Sequence, residues 1–217
     1  MRIRHLFVCA FLSVFFATSA LADKQSYCEV FGQDFANGKS PEVDQWESNF
    51  RNAFGDCMAG LASRDLIEPI REWVLADRPF LGICIGYQVL FDGSEETPDT
   101  PGLGLLPGHV VRFGQSDGLK IPHMGWNAAC PCNPADPIWN DLGSEPYFYF
   151  VHSYFPQPAD PSVVAARTRY GCDFASAARR GNLFAVQFHP EKSQHAGQRL
   201  LRNFLDSTLP DSSTTAP

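Results

Sequence analysis

The pentapeptide Gly82-Ile83-Cys84-Ile85-Gly86 constrains the fold of this chain more than any other segment. It ends a short apolar run that begins at Phe80, and such a run is typical of a strand buried on both faces of a sheet. Residues 86–91 then have the pattern of a helix. A residue on so tight a strand-to-helix turn has a strained backbone and a side chain pushed out of the sheet edge. The pattern predicts an α/β protein that displays Cys84 at that edge.

The rest of the chain repeats this alternation of elements. Apolar residues recur at helical spacing between residues 61 and 76, and Arg78-Pro79 ends that helix. An amphipathic helix is predicted over 192–205. Later apolar runs predict strands at 109–113, 120–121, 147–151, 163–168, 174–178 and 183–188. Helices and strands in this order indicate a sheet flanked by helices.

The first 22 residues have the three parts of a secretory signal peptide. Arg2 and Arg4 precede an apolar stretch over 6–17, and small residues stand before a cleavage site after Ala22. Later apolar runs are too short to span a bilayer, so no membrane association is expected once the signal is removed. The predicted organisation is a signal-like segment at 1–22, a short helical segment at 23–52, an α/β domain at 53–205 and a flexible tail at 206–217.

Charge and cysteine content exclude several classes of function. The 217 residues hold 17 Lys+Arg against 24 Asp+Glu, and no basic run follows residue 4, so nucleic acid is not expected as a partner. Cys130-Pro131-Cys132 lacks the second pair of ligands that a zinc site needs, so no metal is expected. Cys28 and Cys57 could form a disulfide if the chain is exported.

A reactive thiolate needs a base, and one histidine stands out. His189 ends the apolar strand that starts at residue 183, so it should lie at the sheet edge where α/β sites form. Glu191 is two residues later and can reach the same imidazole. The arrangement favours a Cys84–His189–Glu191 triad. The other candidate bases are His109, His123, His152 and His195.

Several motifs, in order, carry a family resemblance over about residues 53–205. They are Gly82-Ile83-Cys84-Ile85-Gly86-Tyr87-Gln88, Pro101-Gly102-Leu103-Gly104-Leu105-Leu106-Pro107-Gly108, Pro122-His123-Met124-Gly125-Trp126-Asn127, Tyr147-Phe148-Tyr149-Phe150-Val151-His152-Ser153-Tyr154 and Phe188-His189-Pro190-Glu191-Lys192-Ser193. The first and last resemble the class I glutamine amidotransferases. The others are similar to the glutaminase subunit of imidazole glycerol phosphate synthase. This resemblance implies a flavodoxin-like parallel or mixed sheet flanked by helices.

The resemblance implies hydrolysis of glutamine to glutamate and ammonia, without a cofactor. The ammonia would pass to a (β/α)8-barrel cyclase subunit in a heterodimer of histidine biosynthesis, which implies a cytoplasmic location. Cys84 would form the γ-glutamyl thioester, His189 would act as base and acid, and Glu191 would orient it. The Ile85 N–H would be an oxyanion donor. Substrate contacts would come from Gly86, Gln88, Ser153 and Tyr154. The residues that face the cyclase would be Pro122, His123, Met124, Gly125, Trp126 and Asn127.

The N-terminal part departs from this family. Asn49-Phe50-Arg51-Asn52 stands where the family has a loop of the type Pro-Gly-Val-Gly, and residues 1–52 match no part of the glutaminase. The domain is therefore expected to lack its N-terminal strands, which would leave strand 80–84 with an unpaired edge. The missing loop normally supplies a second oxyanion donor, and losing one such donor costs about 10²–10³ in rate. Intact activity is therefore uncertain on the sequence.

Other interpretations follow from the same departure. The chain could be an exported non-enzymatic protein or an inactive remnant of a glutaminase subunit. It could instead join two genes near residues 51–53. A free-standing γ-glutamyl hydrolase of the same fold is a further alternative, against which segment 122–127 argues. The signal-like segment predicts export, in conflict with the cytoplasmic location that the resemblance implies.

Overall fold

A computed structural model describes residues 7–8, 52–114 and 119–208 of the chain. The predicted signal segment at 1–22 lies outside the described residues, apart from the backbone of Phe7–Val8. The helical segment predicted at 23–52 also lies outside them, except Asn52, which is in a turn. Among the described residues, no helix has both the length and the apolar character needed to cross a bilayer.

The described helices and strands alternate along the chain. The helices are α1 (Ala53–Ala62), α2 (Ile67–Leu75), α3 (Ile85–Gln88) and α4 (Gln194–Thr208). The strands are β1 (Phe7–Val8), β2 (Phe80–Ile83), β3 (Gly93–Ser94), β4 (Gly108–Arg112), β5 (His123–Ala128), β6 (Cys130–Pro131), β7 (Tyr147–His152), β8 (Tyr154–Pro158), β9 (Val164–Tyr170), β10 (Cys172–Arg180) and β11 (Leu183–Val186). Short 3₁₀ helices occupy Pro137–Trp139, Pro161–Val163 and Pro190–Lys192.

Three sheets are built from these strands. The largest has the order β1-β2-β11-β10-β9-β6, in which β1, β2 and β11 are parallel and the remaining pairs are antiparallel. A three-stranded sheet has the order β3-β4-β8, and β5 pairs with β7 in an antiparallel ribbon. This mixed sheet flanked by helices is the fold class that the sequence predicted.

The central strands β2 and β11 are buried at every position, as the apolar runs predicted. Their side chains alternate between two cores. Phe80, Leu183 and Ala185 join the core covered by α1 and α2, which includes Phe54, Met58 and Leu61. Leu81, Phe184 and Val186 join the second core, which is rich in aromatic rings and is covered by Leu200 and Phe204 of α4. Burial on both faces fixes the register of β2 and therefore the place of Cys84.

Strand β2 has neighbours on both sides. Phe7 pairs with Phe80 and Val8 with Leu81, while β11 pairs with all four residues of β2. The expectation of an unpaired edge is therefore wrong for Phe80 and Leu81. The two ladder partners come from the backbone of Phe7 and Val8, which lie in the segment predicted to be a signal peptide.

Two predicted elements have different bounds for local reasons. The helix predicted between residues 61 and 76 is the end of α1 followed by α2, because Asp65 has a φ of 52° and a left-handed residue ends a helix. The helix predicted at 192–205 begins at Gln194 and continues to Thr208, so Asp206 belongs to a helix rather than to the tail. Residues 209–217 lie outside the described part of the chain.

The strand predicted at 120–121 is wrong. Residues 119–122 form no strand, and β5 begins one residue after Pro122, which has no N–H to donate to a ladder. Strand β8 was not predicted, because Pro156 and Pro158 interrupt its apolar pattern. It tolerates them because it is the edge strand of the three-stranded sheet. Strand β3 was not predicted either, since no strand was expected between residues 92 and 108.

Candidate active site

Cys84 occupies a sharp turn between β2 and α3. Its φ of 53° and ψ of −108° lie in a region that side-chain-bearing residues avoid, so the turn is strained. Its N–H donates to the Val186 carbonyl at 2.8 Å, which ties the turn to β11. A Cβ atom on Gly82 would lie 2.7 Å from the Gly86 carbonyl oxygen, so strand and helix approach this closely because residue 82 has no side chain. The half-buried thiol thus stands at the end of the central strand, as predicted.

His189 lies just beyond the end of β11, and backbone contacts fix its position. Its N–H donates to the Tyr149 carbonyl at 2.8 Å. Its Nδ1 lies 2.6 Å from Glu191 Oε1, an arrangement in which Nδ1–H donates to the carboxylate. The imidazole is 7% exposed and the Glu191 side chain 40% exposed. The structure therefore brings Cys84, His189 and Glu191 to the same edge of the sheet.

The electrostatics of this group favour a charged imidazole. Burial by itself lowers the pKa of His189, but the Cys84 sulfur and the Glu191 carboxylate outweigh it and raise that pKa to about 9. Burial opposes the charge on Glu191, and the hydrogen bond and charge of His189 nevertheless keep the pKa of that carboxyl below its usual value. His189 Nε2 is buried and makes no hydrogen bond of ordinary geometry to the described residues. Catalytic hydrogen bonds are often long until substrate is bound.

Ser193 holds the histidine loop against β7. Its hydroxyl donates to the His189 carbonyl at 2.6 Å and accepts the Tyr149 N–H at 2.9 Å. The side chain is only 1% exposed. Ser193 belongs to the motif that ends the resemblance, but sequence reasoning gave it no role. The signal in the sequence was a serine four residues after the predicted catalytic histidine. If such a hydroxyl is buried, it requires a hydrogen-bond partner close by.

The predicted substrate residues lie in two places, in helix α3 next to Cys84 and at the junction of β7 and β8. Gly86 and Gln88 are buried in α3, while Ser153 and Tyr154 are half-buried where β7 ends and β8 begins. Gln88 Nε2 donates to the Tyr154 carbonyl at 2.9 Å and to Gln187 Oε1 at 3.1 Å. Ile85 is the first residue of α3, so its N–H has no carbonyl inside the helix to bond. The side chain of Gln88 thereby links both halves of the predicted pocket.

Gln187 is a residue of this site that sequence reasoning missed. It is fully buried, and its Nε2 lies 3.8 Å from Cys84 Sγ, within donor distance for sulfur. The strand predicted at 183–188 includes Gln187, but the prediction gives its side chain no role. A lone amide inside such a strand was the available signal, because a buried carboxamide needs partners for its N–H and C=O groups.

The segment predicted to face a partner forms most of β5. His123 is 3% exposed and lies on the inner face, whereas Met124 is 42% and Trp126 47% exposed on the outer face. Tyr147 is exposed and Tyr149 half-buried in the adjoining strand β7, and the Tyr149 ring contacts that of Trp126 at 6.3 Å between centroids. We call the outer side chains of Met124, Trp126, Tyr147 and Tyr149 the aromatic face.

His123 and His152 meet on the buried side of the β5–β7 ribbon. His123 Nδ1 and His152 Nε2 are 3.0 Å apart, and His152 Nδ1 lies 2.9 Å from the Tyr154 carbonyl oxygen. Asn127 Nδ2 lies 3.2 Å from His123 Nε2. Burial lowers the pKa of His123 to about 4. Burial, aided by the charges of His123 and His189, lowers that of His152 to about 3. The remaining candidate bases, His109 and His195, are exposed on β4 and α4.

Metal-ligating side chains do not cluster within the described ranges: no group of three or more His, Cys, Asp or Glu there could hold an ion. Cys130 and Cys132 are exposed on β6 and its end, and Cys57 is buried in α1. Its predicted partner Cys28 lies outside the described residues, so the pairing stays a prediction.

Comparison with known proteins identifies the family. The family model "Glutamine amidotransferase class-I" matches residues 50–208. Imidazole glycerol phosphate synthase subunit HisH of Methylococcus capsulatus is 52% identical over 159 residues, which are 70% of this chain and 73% of that protein. The HisH subunit of Aromatoleum aromaticum is also 52% identical, over 71% of this chain and 75% of that protein.

Solved structures share the fold. PurLQS from Thermotoga maritima has a TM-score of 0.51 at 20% identity, over 65% of this chain and 68% of that one. A crystal structure described as a glutamine amidotransferase has a TM-score of 0.50 at 23% identity, over 67% of this chain and 69% of that one. With the family match and the relatives, these findings show that the chain belongs to the class I glutamine amidotransferases and, among them, to the HisH subunits of imidazole glycerol phosphate synthase.

Proposed function

We propose that this chain hydrolyses glutamine to glutamate and ammonia as the glutaminase subunit of imidazole glycerol phosphate synthase. The observation that carries the proposal is the placement of a strained, half-buried thiol at the sheet edge that also holds the His189–Glu191 pair. A nucleophile, a base and a carboxylate that orients the base are the three parts of a catalytic triad. An imidazolium next to the sulfur favours the thiolate, which is the reactive form of cysteine.

In the first half-reaction, the Cys84 thiolate attacks the γ-carboxamide carbon of glutamine. The Ile85 N–H, which has no helical partner, donates to the oxyanion that forms. The His189 imidazolium transfers the Nε2 proton to the departing nitrogen, the C–N bond breaks, and ammonia leaves. The products of this step are ammonia and a γ-glutamyl thioester on Cys84. Glu191 holds Nδ1–H and stabilises the cation from which the proton comes.

In the second half-reaction, neutral His189 takes a proton from water, and the hydroxide attacks the thioester carbon. The C–S bond breaks, which releases the new γ-carboxylic acid and restores the thiolate beside an imidazolium. The carboxylic acid then loses its proton to solvent and leaves as glutamate. Gln88 positions the substrate in both steps. Its Nε2 is committed to Tyr154 and Gln187, so its Oε1 is the atom left to accept an N–H from the substrate.

The aromatic face is proposed to contact the (β/α)8-barrel cyclase subunit that consumes the ammonia. Exposed aromatic and methionine side chains are enriched at protein interfaces, and Trp126 and Met124 remain 47% and 42% exposed in the single chain. Trp126→Ala should weaken cyclase binding by about 10–100-fold. Leu75→Ala, which removes a 67% exposed apolar side chain from α2, should leave binding unchanged and serves as the control. Equal effects of both substitutions would reject this surface.

The direct test is glutamate release from glutamine with the cyclase subunit present. Cys84→Ala should abolish glutamine hydrolysis and leave cyclase binding intact, whereas Cys130→Ala removes an exposed thiol and should have no effect. An electrophilic glutamine analogue should add its mass to Cys84 alone. An unchanged rate in Cys84→Ala would overturn the proposal. The cytoplasmic location stays a prediction of the resemblance, and export stays a prediction of residues 1–22.

A further inference from the structure

We infer that His152 and His123 are positioning residues of the glutaminase, acting through a hydrogen-bond chain that orients Gln88 and sets Gln187 against the Cys84 sulfur. The chain runs from Asn127 through His123, His152, the Tyr154 carbonyl, Gln88 and Gln187 to Cys84. We call it the amide–imidazole chain. The inference rests on the proposed function, because it concerns the same thiol and the same substrate pocket.

The imidazole half of the chain has one allowed direction. A carbonyl oxygen only accepts, so His152 Nδ1 must carry a hydrogen and donate to Tyr154. A neutral His152 then has a bare Nε2, and His123 Nδ1 must donate to it. His123 Nε2 is in turn bare and accepts from Asn127 Nδ2. Each imidazole is therefore fixed as the neutral Nδ1–H tautomer by its neighbours.

The surroundings of the two imidazoles keep them neutral. His123 stacks on the Tyr170 ring at 3.9 Å and on the Phe150 ring at 4.7 Å between centroids. Phe113 and Phe174 lie against His152. No hydrogen bond or ion pair joins a carboxylate to either imidazole within the described residues. A proton added to His152 Nε2 would face the His123 Nδ1 donor at 3.0 Å, and a proton added to His123 Nε2 would face the Asn127 Nδ2 donor at 3.2 Å. The lowered pKa values of both residues agree with this geometry.

The amide half of the chain inherits its direction from the Tyr154 carbonyl. Gln88 must present Nε2 there, because its oxygen would meet two acceptors, the Tyr154 carbonyl and Gln187 Oε1. Gln187 Oε1 accepts from Gln88, so its Nε2 is left to face the sulfur. The amide therefore donates to Cys84, and a donor stabilises a thiolate more than a thiol. The orientation of both carboxamides thus follows from one carbonyl that His152 also holds.

Two substitutions of His152 separate positioning from packing. Asn places an amide N–H close to where Nδ1 stands and preserves donation to Tyr154, whereas Leu fills the volume without any donor. If His152 only filled the core, Leu should be tolerated at least as well as Asn, because an extra buried amide is costly and an apolar group is not. The exposed His109, replaced by Asn and by Leu, provides the matched control.

The readouts are kcat and KM for glutamine with the cyclase subunit present, and the pH profile of Cys84 alkylation by iodoacetamide. We expect His152→Leu to raise KM by about 3–10-fold, the effect of one lost hydrogen bond, and to slow alkylation at pH 7. His152→Asn should stay within about threefold of the wild type. All variants should bind the cyclase normally, because His152 lies on the inner face of β7. The inference would be overturned if the His152→Leu variant performed as well as or better than the His152→Asn variant in both readouts.

Gln187→Met provides a second arm that does not depend on His152 variants folding. Met nearly matches the size of Gln but donates no hydrogen bond to sulfur. We expect Cys84 to be alkylated more slowly at pH 7 because the donor that faces its sulfur is lost, and an unchanged rate would overturn the inference. Alkylation needs no glutamine. If the wild type releases no glutamate, the proposed function fails, while the alkylation profiles still decide whether the chain orients the thiol.

Discussion

The molecule contains two buried histidine sites that have opposite properties. At the active site, His189 bonds a carboxylate at 2.6 Å and interacts with a thiol, and its pKa rises to about 9. In the imidazole pair, His123 and His152 bond each other at 3.0 Å inside a shell of aromatic rings, and their pKa values fall to about 4 and 3. All three side chains are at most 7% exposed.

The comparison shows that burial alone does not decide the charge of a histidine. Burial lowers all three pKa values, and the sign of the net shift depends on the partner. A carboxylate and a thiolate stabilise a cation that can later give up its proton. A second imidazole with a fixed direction of donation excludes the cation and holds geometry instead. One site is suited to proton transfer and the other to orientation.

The largest expected effect comes from removing the charged imidazole. His189→Asn deletes the base and the cation that favours the Cys84 thiolate, so glutamine hydrolysis should fall by about 10²–10⁴-fold. Iodoacetamide alkylation of Cys84 at pH 7 should slow in the same variant. His195→Asn, on the exposed surface of α4, is the control. A His189→Asn rate within tenfold of the wild type would contradict the role given to this residue.

A smaller effect is expected from neutralising the carboxylate. Glu191→Gln keeps a hydrogen-bond acceptor for Nδ1–H but removes the charge, so the pKa of His189 should fall. Because Glu191 is 40% exposed, solvent screens part of its charge, and the loss in kcat should be milder than for His189→Asn. A steady-state pH profile measures both changes. Glu72→Gln on the exposed face of α2 should leave the profile unchanged. A Glu191→Gln profile identical to the wild type would show that the carboxylate does not tune His189.

The two sites should also give opposite contributions to stability as pH changes. In the folded state the pKa values of His123 and His152 are below the ordinary value of 6.5. The contribution of these two residues to the free energy of unfolding is therefore present above pH 6.5 and is lost as pH falls toward 4. Up to two protons are involved, which gives a slope of at most about 3 kcal/mol per pH unit. His189 has a raised pKa, so its contribution is present below pH 6.5 and is lost as pH rises through about 9.

Urea unfolding between pH 5 and 9 measures these slopes. The double variant His123→Phe, His152→Leu should unfold with a weaker dependence on pH between 5 and 6.5 than the wild type. The variant Glu191→Gln should weaken the dependence between 7 and 9, by an amount that screening reduces. A wild-type stability that rises as pH falls from 6.5 to 5 would contradict the neutral state of the pair.

The smallest effect is expected at the far end of the amide–imidazole chain. Asn127→Leu removes the donor to His123 Nε2 but leaves His152 and Tyr154 in place. The change in KM for glutamine should be smaller than that of His152→Leu, at most about threefold. A larger effect at Asn127 than at His152 would mean that the strand β5, rather than the chain of hydrogen bonds, positions the pocket.

The active site, where His189 is charged, was predicted better from the sequence than the neutral His123–His152 pair, and the reason is physical. Cys84 and the His189–Glu191 pair each lie in a short local motif at the end of an apolar strand. The glycines on either side of Cys84 indicated a tight turn, and the spacing of two residues between His189 and Glu191 indicated that their side chains can meet. The fold class followed from the same alternation of strands and helices. These features depend on neighbours along the chain, which a sequence displays directly.

The neutral site depends on contacts distant along the chain. His123 and His152 are 29 residues apart and meet only because β5 pairs with β7 in one register, and β5 itself was not predicted. Gln187 lies 103 residues from the sulfur that it contacts. The sequence identified the two histidines as candidate bases and placed Gln187 in a predicted strand. That these residues contact one another depends on which strands pair, and residue propensity and periodicity do not predict strand pairing.

The most direct test of the contrast is ¹⁵N NMR of the histidine rings across pH 5–10, with signals assigned by single His→Gln variants. We predict that His189 is doubly protonated at pH 7 and titrates near pH 9. His123 and His152 should stay neutral throughout, each as the Nδ1–H tautomer. A neutral His189 at pH 7, or a pair member that titrates near 6.5 or carries its hydrogen on Nε2, would contradict the account.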